Sequence, residues 1–353
     1  MPSRGGYLNA QEAARNLGIT RATLYAYVSR GLIRSERGQG RARRYHASDV
    51  AVLKRGGESA ARPGIETSIT LALEGRLYYR GRDAAILARN LSVREAAAFI
   101  WQADPVACFA AGNLPATLEN HAALLEALAD LPPASRAQAM LQAAIPAQNS
   151  ASGPSSGKDA EFFGHEGARL LRFLAACVAG VAPSSRPVEA VLAEAWGLES
   201  ARRPLLRSCL ILAADAGIDA ASQAARLAYA AGAHPWAAMA CGLAALGTGG
   251  KNPEGEPLFA GPDPRGGLLL EMLGGKGGSE DHSSAGSAGG ALEAALDLIE
   301  TRLKLPPGAS QALLLLGRSI GLVAHIGEEA GALRHPRPRG CYVGPPPAEP
   351  AKL

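Results

Sequence analysis

The sequence predicts a small N-terminal head of two short helices and a wing, followed by an all-α body. Three observations predict this. Residues 7–30 split into two short helical patterns around Gly18. From Leu114 onward, Ala- and Leu-rich amphipathic segments follow one another. Near the C-terminus a long apolar run, Ala312–Val323, carries Leu313, Leu316, Ile320 and Val323 at helical spacing and is interrupted by a single charge, Arg318. Arginine is almost never fully buried unless something pairs with it. Arg318 therefore snorkels, meets an internal carboxylate or holds an anionic ligand.

Composition sets the class. The 353 residues are 47% apolar and 19% charged, enough for a substantial core in one large domain or two unequal ones. Residues 1–62 hold twelve Lys/Arg against four Asp/Glu, a local +8 that leaves −4 for the remainder of a chain at +4. A basic arm on a body of ordinary charge points to a polyanion partner. Cys108, Cys177, Cys209, Cys241 and Cys341 form no CxxC pair and are odd in number, which reads as reduced thiols in a cytoplasmic protein. The stretch MPSRGGYLNAQ has no hydrophobic signal core, and no run reaches about 18 uninterrupted apolar residues, so no membrane partner is expected.

In the head, residues 1–55, a first helix near Ala10–Leu17 ends at Gly18, suited to a left-handed cap, and Thr20 caps a second helix through Arg30. Ala13, Leu17, Ile19, Leu24 and Val28 form the shared core of a helix-turn-helix. Gly38 and Gly40 then sit between arginine-bearing arms of a wing, and Asp49 opens a further helix. The phrase SRGLIRSER…RRYHASDV resembles the MerR-type and excisionase-type DNA-binding heads. That resemblance places Arg21, Thr23, Tyr25 and Tyr27 on the recognition helix and Arg37, Arg41, Arg43 and Arg44 on DNA phosphates.

A small-residue hinge, 56–63, leads into a body spanning 64–344, with 345–353 as a tail. Ser92 with Glu95 forms a capping box that starts a helix. Pro132–Pro133 breaks the helical series, and Pro146–Gly157 and Gly274–Gly290 read as flexible stretches. Further helices are expected at Leu205–Ala214, Ser222–Ala231 and Pro235–Leu246.

The phrases GRSIGLVAH and RPRGCYVG resemble the C-terminal end of citrate synthases, and EGRLYYRGRDAAILA with SVREAAAFIW resembles their opening. The resemblance implies large and small helical domains with a short N-terminal β-hairpin, and an obligate homodimer. In that family an aspartate removes a proton from acetyl-CoA, histidines orient and polarise oxaloacetate, and three arginines hold carboxylates. Asp263-Pro264-Arg265 matches the family's DPR motif, so the resemblance assigns Arg265, Arg318 and Arg337 to substrate binding, Arg337 reaching into the partner subunit.

The histidines do not match. Ala216 stands in the family's DHExN loop, GTGG (247–250) replaces GPxHGG, and Glu256 takes the polarising histidine's place nine residues before Arg265. Glu293, thirteen residues ahead of Pro306, stands where the aspartate base belongs. The interval from Gly250 to Gly255 is also much shorter than the family's, which removes part of the coenzyme A cleft. Enolisation at neutral pH needs a placed base and a placed acid. These departures favour a degenerate member that binds citrate- or oxaloacetate-like polycarboxylates and controls transcription. The alternative is an active citrate synthase with Glu293 and Glu256 as catalytic residues. No permanently bound cofactor is expected, acetyl-CoA being a co-substrate in the enzyme reading alone. The seven histidines show no HExxH or similar spacing, so no metal is expected either.

Overall fold

The computed structural model describes residues 7–29, 32–38, 43–46, 49–50, 53, 65–116, 118–151, 159–246, 258–259, 263–274 and 291–332. The chain divides into two compact units, Met1–Glu66 and Thr67–Leu353.

In the first unit, α1 (Ala10–Leu17) starts with a capping box between Asn9 and Glu12 and ends at Gly18, whose φ of 64° lets its N–H reach Ala14 and Arg15 carbonyls. Thr20 Oγ1 accepts from Thr23 N at 3.2 Å and so caps α2 (Arg21–Ser29). Strands β1 (Tyr7–Leu8), β2 (Ser35–Arg37) and β3 (Arg43–His46) pair antiparallel in the order β1-β3-β2. Ala13, Ala14, Leu24, Ile33, Tyr45 and Val50 make the core, with Leu17, Ile19 and Val28 packed against it. This is a helix-turn-helix with a wing. Asp49 fixes the approach to the wing, accepting from Arg34 N at 2.8 Å, Nε at 3.0 Å and Nη2 at 2.8 Å.

The second unit opens with a meander of β4 (Thr70–Leu73), β5 (Arg76–Tyr79) and β6 (Arg82–Asp83). Both connections are two-residue turns, Glu74-Gly75 and Arg80-Gly81, with positive φ at all four residues, as type I′ hairpins require. Helices follow: α3 (Ala84–Asn90), α4 (Val93–Trp101), α5 (Pro105–Cys108), α6 (His121–Ala127), α7 (Pro133–Ala151), α8 (Ala160–Ala179), α9 (Val188–Ala195), a 3₁₀ turn (Ser200–Arg202), α10 (Arg203–Leu212), α11 (Ala220–Ala230), α12 (Pro235–Ala245), α13 (Pro264–Leu273), α14 (Ala291–Leu303) and α15 (Ala309–Ala330). The predicted Ser92–Glu95 capping box starts α4.

One expectation is corrected. Residues 146–151, read as the start of a flexible stretch, continue α7 through Pro146. A long-range tether offsets the proline: the buried Gln148 amide accepts from Ala116 N at 2.9 Å and donates to Ala116 O at 2.8 Å. Residues 152–158, the hinge, the Gly/Ser-rich 275–290, the Gly250–Gly255 interval and the tail lie outside the described residues.

Helix α15 is the centre of the body. It packs on α8, α10, α11, α12 and α14. Among the described residues it alone is long and apolar enough to cross a membrane, and 89% of its apolar stretch is buried in the body. Gly317 and Gly321 form the seam against the end of α10. A Cβ on Gly317 would lie 2.6 Å from Ala213 Cβ, and one on Gly321 would lie 2.3 Å from Ala214 O. That closeness lets Gly321 N donate to Ala214 O at 2.9 Å, a backbone bond from α15 to the segment just after α10, and carries Arg318 to Asp215.

Candidate functional site

The site lies where α10 ends, between α15, α13 and the meander. Arg318 is only 2% exposed. Its Nη1 donates to Asp215 Oδ1 at 2.8 Å and its Nη2 to Asp219 Oδ2 at 2.6 Å, while its Nε is buried without a partner. Both terminal nitrogens of the expected ligand-binding arginine are thus held by internal carboxylates. Asp219 serves twice, since its Oδ1 also caps α11 by accepting from Ser222 N at 2.8 Å.

Asp215 is fully buried and collects several donors. Besides Arg318 it takes His325 Nε2 at 3.2 Å, Thr70 Oγ1 at 2.5 Å and Gly217 N at 3.1 Å. Burial pushes its pKa up, but His325, Arg318 and Thr70 outweigh that and hold it well below the ordinary carboxylate range. His325 faces Arg226 Nη1 through its Nδ1 at 3.5 Å, and Arg226 in turn bonds Glu328 at 2.9 Å and Glu329 at 3.0 Å.

Arg265 sits in the same neighbourhood. Its Nε and Nη2 grip Asp263 two residues earlier, at 2.7–3.0 Å, and its Nη1 donates to Leu212 O at 3.2 Å. Burial works against its charge, and Asp263 more than restores it, leaving its pKa raised. Tyr79 joins the two arginine stations. Its hydroxyl donates to Leu212 O at 3.1 Å and accepts from Asp215 N at 3.3 Å, and burial pushes it up to about 12. Glu293 is half-buried near Arg265 and Asp263, its Oε2 without a hydrogen bond. Burial, with Asp263 and Asp297, raises its pKa against the pull of Arg265.

The structure therefore brings Arg265 and Arg318 around Tyr79 and the Leu212–Asp215 segment, with Glu293 near Arg265 and half-buried Ala216 next to Asp215. Glu256, Arg337 and the GTGG segment lie outside the described residues. Sequence reasoning missed Asp215 and Asp219 as partners of Arg318, Asp263 as partner of Arg265, and Tyr79. The available signal was the aspartate pair four apart, the second directly before a helical Ala-Ala-Ser.

In the first unit, Arg21 is exposed, with Nη2 3.4 Å from Gln11 Oε1. Tyr25 is 52% exposed, whereas Tyr27 packs partly into the core and the Thr23 hydroxyl is engaged with Thr20 at 2.9 Å. Arg43 and Arg44 are exposed on β3; Arg37 lies in β2 by its backbone, and Arg41 falls outside the described residues. Among the described residues, Arg21, Tyr25, Arg43 and Arg44 are the predicted contact residues that stand exposed.

Residues 61–251 match the family model described as citrate synthase, C-terminal domain, and residues 7–57 match that of a helix-turn-helix domain. Among solved structures, the citrate synthase from Thermotoga maritima MSB8 is similar at 19% identity, covering 81% of this chain and 94% of that one with a TM-score of 0.58. The enzyme from Pyrobaculum aerophilum gives 16% identity, 83% and 93% coverage and a TM-score of 0.62. A ternary complex of carboxymethyl coenzyme A and oxaloacetate with the Thermoplasma acidophilum citrate synthase gives 18% identity, 84% and 98% coverage and a TM-score of 0.58. No curated protein matches the chain. With a family match over more than half its length and the fold to go with it, the chain belongs to the citrate synthase family and carries a helix-turn-helix domain at its N-terminus.

Proposed function

We propose that this protein is a cytoplasmic, homodimeric transcription regulator whose citrate synthase-like body binds a small polycarboxylate instead of condensing one. A single observation carries the reading: both terminal nitrogens of Arg318 rest on Asp215 and Asp219, and Ala216 stands between them where the family has its orienting histidine. The ligand-binding arginine is self-neutralised, and among the described residues the imidazole at this site, that of His325, is held on Asp215. A polycarboxylate has to displace an internal carboxylate to reach Arg318. That exchange supplies two arrangements of one site, with ligand favouring one of them, as a switch requires.

The head is the natural output. Its exposed Arg21, Arg43 and Arg44 suit phosphate contacts and Tyr25 suits a groove contact. Two heads in a dimer would read a pseudo-palindromic site. The second reading, an active enzyme, draws on Glu293, a carboxylate of raised pKa beside Arg265. Purified protein given acetyl-CoA and oxaloacetate separates them. The regulator reading expects no thiol release above background and a citrate-dependent change in DNA retention. A robust rate abolished by Glu293→Gln would establish the enzyme instead.

A further inference from the structure

Away from this site, three donors of different chemistry converge where α5 meets α8. Cys108 ends α5, Glu161 lies in the first turn of α8, and His165 follows one turn later on the same face. One ligating atom from each lies within 4.8 Å of the other two. Cys108 Sγ is 3.8 Å from Glu161 Oε2, close to the roughly 3.6 Å that two tetrahedral ligands keep at ordinary zinc–sulfur and zinc–oxygen bond lengths.

The backbone around the cluster is built for this approach. Gly164 faces Cys108 so closely that a Cβ there would lie 2.5 Å from the sulfur. The Asn113 amide donates to the carbonyls of both Cys108 (2.7 Å) and His165 (3.1 Å), tying two of the donors together. Asp104 N holds Glu161 Oε1 at 3.0 Å, leaving Oε2 turned to the thiol.

We propose that Cys108, Glu161 and His165 bind one divalent metal ion, zinc by their mixed sulfur, nitrogen and oxygen chemistry. On binding, the thiol gives its proton to solvent, the thiolate, the neutral imidazole and the carboxylate each donate a pair, and the fourth position is left to water or an external ligand. The ion pins α5 to the start of α8 and is independent of the arginine site.

The test is metal analysis of the full-length protein after zinc loading and exhaustive dialysis, with cobalt(II) as a spectroscopic probe. The wild type is expected to retain about one ion per chain and to show a thiolate-to-cobalt charge-transfer band. His165→Gln, a half-exposed change compatible with folding, should weaken zinc by at least the roughly 10-fold that loss of an outer-sphere partner costs. Cys108→Ser should abolish the band, and Cys241→Ser, which removes an exposed thiol elsewhere, should leave it. Zinc retention unaltered in His165→Gln, no retained ion in the wild type, or a band lost with Cys241 would each overturn the assignment.

Discussion

Replacing Arg318 with methionine gives the sharpest prediction for the body. Methionine fills much of the side-chain volume without the charge, so the loss reports on the ion pairs more than on packing. Asp215, fully buried, would keep His325 at 3.2 Å and Thr70 at 2.5 Å but lose its guanidinium at 2.8 Å. Removing one partner of a buried pair costs about 3–5 kcal/mol. Asp219, with a quarter of its side chain exposed, rehydrates and adds little. Because Asp215 also keeps Gly217 N, and so retains three partners, the lower end, about 3 kcal/mol, is expected. Urea denaturation at neutral pH measures it, and a slope near 3 kcal/mol/M converts it to a midpoint drop of about 1 M. The pH dependence has a definite sign. A carboxyl depressed in the fold contributes stability that is present above its unfolded value, about 3.9, and is lost as pH falls through the folded value. Without Arg318 that folded value rises, so acid unfolding of the variant should begin at higher pH. A loss below about 1 kcal/mol with an unchanged acid limb would refute the pairing as the reason Arg318 is tolerated in the core.

Further outcomes follow from single contacts. Gly321→Ala would put a methyl 2.3 Å from Ala214 O and 2.6 Å from an Asp215 carboxylate oxygen, and overpacking of this kind costs about 1–3 kcal/mol or more, read as a lower Tm. Gln148→Ala would strip Ala116 of partners for both its N–H and its carbonyl, costing about 2 kcal/mol and speeding hydrogen exchange at Ala116. Replacing Arg43 and Arg44 with alanine should weaken DNA retention across all sequences and reduce the slope of log affinity against log salt by about 2.

How much of this was legible in the sequence depended on the range of the interaction. Gly18, Thr20 and the Ser92–Glu95 box act within four residues of themselves, and their helices start or stop where the sequence places them. Helix α15 announced itself by the periodicity of Leu313, Leu316, Ile320 and Val323 in its middle. Pro146 misled because its local effect is real, and the amide that rescues the helix reaches 32 residues back to Ala116. The partners of Arg318 lie 103 and 99 residues away, so the sequence could demand a carboxylate without naming one. For Arg265 the partner stood two residues before it inside the DPR phrase, hidden by the expectation that the arginine was free for a ligand. The proposed metal ligands were equally concealed: Glu161 and His165 share a helix face, but Cys108 joins them only through the close approach at Gly164.

Calorimetric titration of citrate into the wild type and Asp219→Asn tests the self-neutralised arginine most directly. Asparagine caps a helix as well as aspartate, so α11 keeps its start while Arg318 loses one internal counter-charge. A partly exposed pair is worth roughly 1 kcal/mol, so the variant should bind citrate about fivefold more tightly. Equal affinity in the two proteins, or no binding by either, would contradict a polycarboxylate that competes with Asp219 for Arg318.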